Sequence, residues 1–255
     1  MAKIEFKPGT MLNPVPAVMV SCGDETEQNI ITIAWTGIVN TDPPMTYISV
    51  RKERHSHDII ARTGEFVINL TTKDLAFATD YCGVRSGRKV DKFKEMDLTP
   101  AKSRKVSCPS IGESPVNLEC KVLDVHEFPT HDMFLAEIIG VSVEESLMDE
   151  KGRLRLEDAG LIAYSHGSYV ALQHKELWTF GYSVMKPKTR RRIAAQKRQD
   201  HHARKAKQGD REGKNGKRPE APVRGQASRR NSAGRKKSHS PAKKIRGSGR
   251  CRAND

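Results

Sequence analysis

The sequence lacks any long apolar run and any apolar leader segment. No stretch of about 18 consecutive apolar residues occurs, so no membrane-spanning helix is predicted. The first six residues contain Lys3 and Glu5, and they do not form the apolar core of a secretory signal. We therefore expect a protein without membrane association that resides in the cytoplasm.

Cysteine is scarce and irregularly spaced. The chain has five cysteines and no Cys-x-x-Cys pair: Cys22, Cys82, Cys108, Cys120 and Cys251. This odd number and this spacing argue against a disulfide framework and a zinc site, and they suit a reducing compartment. We expect no bound metal. The G-x-x-x-x-G-K-[ST] loop, the G-x-S-x-G elbow and the H-E-x-x-H helix are also missing, so these nucleotide-binding, hydrolase and protease motifs are excluded.

Aromatic residues, leucine and methionine are missing from the C-terminal part of the chain. All aromatics lie at or before Tyr182, and no Leu or Met follows Met185. Residues 186–255 carry 25 Lys/Arg and 5 Asp/Glu, which gives a net charge of +20, whereas residues 1–185 have a net charge of −6. A segment with so few large apolar side chains cannot bury enough apolar surface to offset the entropy cost of ordering. We therefore predict one domain over residues 1–187 and a disordered basic tail over residues 188–255.

The first 185 residues have the pattern of a mainly β protein with α additions. Alternating and β-branched segments between turn residues predict strands at 17–22, 29–39, 45–50, 66–70, 116–126, 133–143, 161–164 and 168–172. Helical spacing predicts one helix over 56–62, with Ser56 as its N-cap, and a second over 73–81 that breaks at Gly83. Many short strands with two interposed helices favour an antiparallel barrel over a βαβ sheet.

A series of motifs along residues 10–186 gives the sequence a specific family resemblance. They are Asn29–Gly37, Asp42–Met45, Ile48–Ser56, Gly64–Leu70, Thr79–Gly83, Ser86–Phe93, Pro115–Cys120, His131–Glu137, Gly160–Tyr164 and Phe180–Val184. In this order they resemble the flavin reductase-like proteins, and within them they look closest to the flavoredoxin branch.

This resemblance implies an FMN-binding split β-barrel, a Greek-key antiparallel barrel that usually forms a homodimer with flavin near the subunit interface. It also implies NAD(P)H as the electron donor, with hydride transfer to flavin N5 and onward electron transfer. An alternative is a flavoredoxin-type carrier that receives electrons from a partner protein. A second alternative is a non-enzymatic scaffold whose basic tail binds nucleic acid.

The FMN phosphate would need cationic groups and free backbone N–H groups. The candidates lie at one strand end and the following helix start: Arg51, Lys52, Arg54, His55 and Ser56. Glu53 lies among them and would have to point away. The alternative is that this charged run is only a solvated turn.

The flavin ring would need small residues and an aromatic cover, and the matched positions are Thr32, Ala34, Trp35 and Thr36. A buried core strand is the alternative there. The loop from Cys82 and Gly83 to Lys92 would close over FMN, with Ser86 and Lys92 as donors, unless it is an ordinary polar loop. Asn69 ends a strand and could reach the cofactor or simply form a turn.

The candidate catalytic residue is His131, in a predicted loop just before a strand. The resemblance implies that this histidine faces the nicotinamide or the electron acceptor, although a lone loop histidine is often only solvated. The basic tail has three interpretations: a salt-sensitive binder of polyanions or nucleic acid, a linker without a partner, or a non-native extension.

Overall fold

A computed structural model of the chain describes residues 1–173 and 177–196. The chain divides into two compact units, Met1–Trp178 and Thr179–Asp255, whereas the sequence predicts a boundary after residue 187. In the second unit, the described residues contain a short 3-10 helix at Tyr182–Val184 and helical backbone at 187–196. Helical backbone thus occupies the first residues of the predicted tail, where Pro187 starts a run of good helix formers. Residues 197–255 of the predicted tail lie outside the described residues.

The first unit is mostly β-strand. Its strands are β1 (Val15–Pro16), β2 (Val18–Gly23), β3 (Gln28–Ile33), β4 (Thr36–Thr41), β5 (Pro44–Arg51), β6 (Glu65–Leu70), β7 (Pro100–Ala101), β8 (Ser110–Ile111), β9 (Val116–Glu127), β10 (His131–Val143), β11 (Ile162–Ser165) and β12 (Ser168–Ala171). Its helices are α1 (His55–Thr63), α2 (Ala76–Val84) and α3 (Lys92–Glu95), with 3-10 turns at Glu145–Leu147 and Leu156–Asp158. The predicted fold class, mainly β with α additions, is confirmed.

Seven of these strands form one antiparallel sheet in the order β3-β2-β6-β9-β10-β5-β4. The two edge strands, β3 and β4, are joined by only Ala34 and Trp35. The three Cα–Cα steps from the last residue of β3 to the first residue of β4 span at most about 11 Å. In a flat sheet, six strand spacings would separate the two edge strands by about 29 Å. The sheet must therefore curl until its two edges adjoin, which produces a barrel that is split between β3 and β4.

The inside of the curled sheet is the main apolar core. Alternate residues of the strands point inward, and Ile48, Phe66 and Phe134 are fully buried there. Helix α1 closes this core with Ile59 and Ile60, which are both buried. A second apolar cluster packs α2 and α3 against the outer side of β3.

Three predicted element boundaries are wrong. The β-branched run at 29–39 is not one strand, because the chain passes from one sheet edge to the other at Ala34 and Trp35. The N-cap of α1 is Arg54 rather than Ser56, which lies inside the helix and is buried. Gly83 does not end α2, since the helix continues through Val84.

Two smaller sheets flank the large one. One has the order β1-β11-β12, and the other pairs β7 with β8. An isolated bridge between Thr72 and Leu161 holds the first small sheet beside the end of β6. Among the described residues, no helix is long and apolar enough to cross a membrane.

Candidate functional site

Two adjoining cavities lie on the outer side of β3. The first, here called the strand cavity, has a volume of about 450 Å³ and follows the end of β3 to Trp35 and His131. The second, here called the helix cavity, has a volume of about 340 Å³ and lies at the start of α1. Ile31 and Arg54 line both cavities, so the two form one elongated groove. Each volume is within the usual range for small-molecule sites.

One wall of the strand cavity is built from Trp35 and His131. Their ring centroids are 4.7 Å apart with a 36° angle between the planes, and Trp35 is 43% exposed. His131 is the first residue of β10 rather than a loop residue, and it pairs with Arg51 on β5. Partial burial lowers the pKa of His131, and the nearby charge of Arg51 lowers it further. The imidazole is therefore neutral at pH 7.

The floor of the strand cavity is the open edge of β3. On this edge, the Ile30 carbonyl accepts a hydrogen bond from Lys92 rather than from a strand. Because residues two apart on a strand direct their backbone groups the same way, the N–H and C=O of Thr32 also face this edge. The Thr32 hydroxyl donates to the Thr79 carbonyl of α2. Gly83 permits this approach, since a Cβ there would lie 3.2 Å from the Thr32 Cβ.

Asp80, Tyr164 and Tyr169 also line the strand cavity. The two tyrosine rings meet edge to face, with centroids 5.6 Å apart. Burial raises the pKa of Tyr169 to about 12, and the charge of Asp80 adds to that rise. None of these three residues was predicted as a site residue from the sequence. Asp80 and Tyr164 belong to the family-like motifs Thr79–Gly83 and Gly160–Tyr164, which were the available signal for them.

The helix cavity is positioned by the first turn of α1. Arg54 is the N-cap, and its carbonyl accepts a 2.9 Å hydrogen bond from the His57 N–H, whereas the N–H groups of His55 and Ser56 precede the first hydrogen bond of the helix. Ser56 is buried, and its hydroxyl accepts a hydrogen bond of 2.8 Å from the Asn29 side chain. Gly87 on the facing loop lies against Asn29, where a Cβ would come within 2.2 Å of the Asn29 Oδ1. The loop can therefore approach this closely only with glycine at position 87.

Lys92 lies at the base of the helix cavity and is only 4% exposed. Its ammonium donates to the carbonyl oxygens of Ile30 at 2.6 Å and Cys82 at 2.7 Å. Burial lowers the pKa of Lys92 to about 8. Burial also raises the pKa of the Cys82 thiol to about 11, so this cysteine stays protonated and unreactive at neutral pH.

Most of the predicted site residues come together in the groove. The strand cavity contains Thr32, Ala34, Trp35, Arg51, Gly83 and His131, and the helix cavity contains His55, Ser56, Cys82, Ser86 and Lys92. Arg51, predicted beside a phosphate, instead lines the strand cavity. Its side chain is 3.6 Å from Glu53. His55 lines the helix cavity but is 3.3 Å from Glu27.

Three predicted site residues line neither cavity. Thr36 follows the crossing to β4, and its hydroxyl donates to the Tyr47 carbonyl at 2.5 Å. Lys52 points to the other side of the sheet, where its ammonium lies 3.1 Å from Asp132. Asn69 is fully buried, donates to the Met19 carbonyl at 3.0 Å and accepts from the Ile111 N–H at 2.9 Å. Each side chain is thus occupied within the protein and does not face the groove.

Within residues 1–173 and 177–196, no group of three or more His, Cys, Asp or Glu side chains could hold a metal ion. The four cysteines of this part of the chain are free and buried.

Comparisons with known proteins agree with this architecture. The family model for the flavin reductase like domain matches residues 11–173. The flavoredoxin of Desulfovibrio vulgaris (Miyazaki F) is 28% identical, covers 71% of this chain and 100% of its own, and superimposes with a TM-score of 0.67.

Two further solved structures share the fold at lower identity. The FMN-binding protein of Thermus thermophilus is 24% identical, with coverage of 70% and 98% and a TM-score of 0.59. A Shewanella frigidimarina protein described as having a split barrel domain is 19% identical, with coverage of 66% and 86% and a TM-score of 0.59. The predicted split β-barrel is therefore confirmed.

Proposed function

This chain belongs to the family of flavin reductase-like domains, in which it resembles the flavoredoxins, and on that premise we propose that it is an FMN-binding oxidoreductase supplied with hydride by NAD(P)H. The observation that carries the proposal is the meeting of a cation-lined cavity and an aromatic-lined cavity at Ile31 and Arg54. Their contrasting linings fit a ligand with an anionic end and a planar end. Bound FMN supplies one- and two-electron redox chemistry.

The helix cavity is the proposed phosphate end. Arg54, Arg85 and Lys92 line it, together with the start of α1, and a helix start favours anions through its free N–H groups. Ser56 and Ser86 add hydroxyl groups to the lining. Glu53 is also present, but three cationic side chains outweigh one carboxylate. This donor set suits a phosphate dianion.

The strand cavity is the proposed ring end. Trp35 offers an aromatic face, and the open edge of β3 offers the backbone N–H and C=O of Thr32 to the polar rim of a planar ring. Arg51 adds a positive charge beside this cavity. Its proposed role is therefore to balance negative charge near the ring, and the phosphate is assigned to Arg54 instead.

His131 is the proposed contact for the nicotinamide of the donor. It lies at the cavity wall against Trp35, and its Nδ1 is 2.8 Å from the Thr130 hydroxyl. Its lowered pKa keeps the ring uncharged at neutral pH, so it can orient the donor through packing and one hydrogen bond. No proton transfer by His131 is required for this role.

The test compares His131→Ala with wild-type protein reconstituted with FMN. Rapid-mixing absorbance should show reduction by NADH or NADPH slowed about 100-fold, with FMN affinity unchanged, because orientation is lost while the flavin groove remains. The matched control is His126→Ala, an exposed histidine on β9, which should behave as wild type. Normal reduction in His131→Ala would remove His131 from the mechanism. If the wild-type protein binds no FMN in a titration and itself stays colourless, the cofactor assignment is wrong and the non-enzymatic scaffold is favoured.

A carrier function is the second candidate, because the flavoredoxin of Desulfovibrio vulgaris superimposes on this chain over the whole of the flavoredoxin's length. Steady-state NAD(P)H oxidation with added free FMN separates the two functions. A reductase sustains turnover under these conditions. A carrier holds its flavin and shows little turnover until a partner protein supplies electrons.

The proposed oligomeric state is a homodimer. The edge strand β4 exposes Ile38 and Val39, and Leu123 on β9 and Phe128 beyond it are also about half exposed or more. Apolar side chains on an unpaired edge favour association. Sedimentation at micromolar concentration should give twice the chain mass for the wild type. A monomer would contradict the dimer without affecting the flavin assignment.

The proposed location is the cytoplasm, supported by buried, unpaired cysteines in the described part of the chain. The basic segment after residue 196 is proposed to bind polyanions, including nucleic acid, through charge alone. Removing residues 197–255 should abolish salt-sensitive RNA retention and leave flavin chemistry unchanged. Retention that survives the truncation would assign polyanion binding to the barrel.

A further inference from the structure

Asp132 is a buried carboxylate that lines neither cavity. Its Oδ2 lies 2.8 Å from the His57 Nε2, and its Oδ1 lies 3.1 Å from the Lys52 ammonium. Burial alone would raise the pKa of Asp132, but the hydrogen bond with His57 and the charge of Lys52 bring it below its usual value. Asp132 is therefore ionised at neutral pH, and both of its oxygens have polar neighbours.

The hydrogen bond between Asp132 and His57 joins the two ends of the groove. Asp132 follows His131 at the start of β10, on the strand-cavity side. His57 lies in the first turn of α1, next to Ser56 and three residues after Arg54, on the helix-cavity side. His57 and Asp132 are 75 residues apart in sequence. A displacement of either one would therefore change the separation of the two cavities.

His57 is held from other directions as well. Its ring meets the Phe134 ring edge to face, with centroids 5.5 Å apart. Its Nδ1 lies 3.2 Å from Asp58, and the other carboxylate oxygen of Asp58 accepts a 2.8 Å hydrogen bond from Arg88. Arg88 belongs to the loop that carries Ser86 over the helix cavity. The chain of polar contacts thus runs from β10 through α1 to that loop.

We propose that Asp132 is a positioning residue, which holds α1 and β10 at the separation at which one FMN molecule engages both cavities. The proposal rests on the function proposed above. It assigns Lys52, which the sequence analysis placed beside the phosphate, to the support of Asp132. Asp132 lines neither cavity, and its effect is transmitted through His57 and the first turn of α1.

Comparing FMN with riboflavin isolates this role, because riboflavin has the ring but no phosphate. A ligand that binds both cavities gains from their fixed separation, whereas a ligand that binds only the strand cavity does not. Asp132→Asn should therefore weaken FMN binding about tenfold and change riboflavin binding by less than about twofold. A purely structural role would lower the melting temperature and leave the preference for FMN over riboflavin unchanged.

Asp124→Asn is the matched control. Asp124 lies on the neighbouring strand β9 and also faces a histidine, His126, at 3.4 Å, but both side chains are about half exposed or more. This variant should keep the wild-type affinity for both flavins. His57→Phe provides a second route to the same test, since it removes the other half of the hydrogen bond. It should reproduce the loss of FMN preference, and the double variant should add little to either single change.

The outcomes separate the two proposals. If the wild type binds FMN no more tightly than riboflavin, the phosphate site of the proposed function is wrong. If the wild type prefers FMN and either folded variant, Asp132→Asn or His57→Phe, keeps that preference, the positioning role is wrong. Loss of the preference in both variants but not in Asp124→Asn supports the role.

Discussion

Raising the pH from 7 to 9 is expected to weaken FMN binding, because Lys92 loses its proton over this range. Its ammonium lies at the base of the helix cavity, and burial lowers its pKa to about 8. A phosphate monoester is already a dianion at pH 7, since its second pKa is about 6. The charge that changes in this interval is therefore that of the protein.

The magnitude follows from the pKa of Lys92. In the free protein, the protonated fraction falls about tenfold between pH 7 and pH 9 for a pKa of about 8. The phosphate favours the charged form, so the pKa is higher in the complex than in the free protein. Binding at high pH must therefore include uptake of a proton. The FMN affinity should fall about tenfold, or about 1.4 kcal/mol, provided that the complex stays protonated to pH 9.

Fluorescence titration of FMN at pH 7, 8 and 9 measures this effect, with riboflavin as the ligand control. Lys92→Met removes the titrating group, so its FMN affinity should be lower at pH 7 and should not change up to pH 9. Riboflavin affinity should not change with pH in either protein. A wild-type FMN affinity that is equal at pH 7 and pH 9 would refute the assignment of Lys92 to the phosphate end.

Two further predictions concern neighbouring side chains. Arg54→Ala should weaken FMN binding by about 1–3 kcal/mol and leave riboflavin binding unchanged, whereas Arg51→Ala should weaken the binding of both flavins equally. The reverse pattern in the two titrations would show that Arg51, and not Arg54, binds the phosphate. Asn69→Ala should lower the free energy of unfolding by about 2–4 kcal/mol in urea, since it leaves buried partners such as the Ile111 N–H unsatisfied. A specific loss of FMN affinity with unchanged stability would contradict that structural role.

The strand pattern was predictable because period-two alternation is local. The long strands β9 and β10 and the helix α1 lie within a few residues of the positions that alternation and helical spacing predict. The break between β3 and β4 was not predictable in this way, because Ala34 and Trp35 continue the apolar run without a turn residue. Only the pairing of each strand with a different neighbour shows that the chain changes sheet edge there.

The site residues were predictable as a group but not one by one. The family-like motifs identified the groove, yet side-chain direction decides which member of a charged run faces it. Arg51, the last residue of β5, lines the strand cavity, whereas Lys52 lies in the following turn and faces Asp132. Tyr169 reaches the groove through the tertiary packing of β12, and no local pattern marks it.

The slit between β3 and β4 has a consequence for ligand selectivity. In a fully closed barrel, adjacent strands share a ladder of hydrogen bonds, and a ligand could enter between them only by breaking that ladder. Here the polypeptide itself makes the connection through Ala34 and Trp35, and both residues line the strand cavity, so their side chains help to set its shape. In related proteins, substitutions at these two positions would allow ligands of a different shape to bind while the register of every strand is kept.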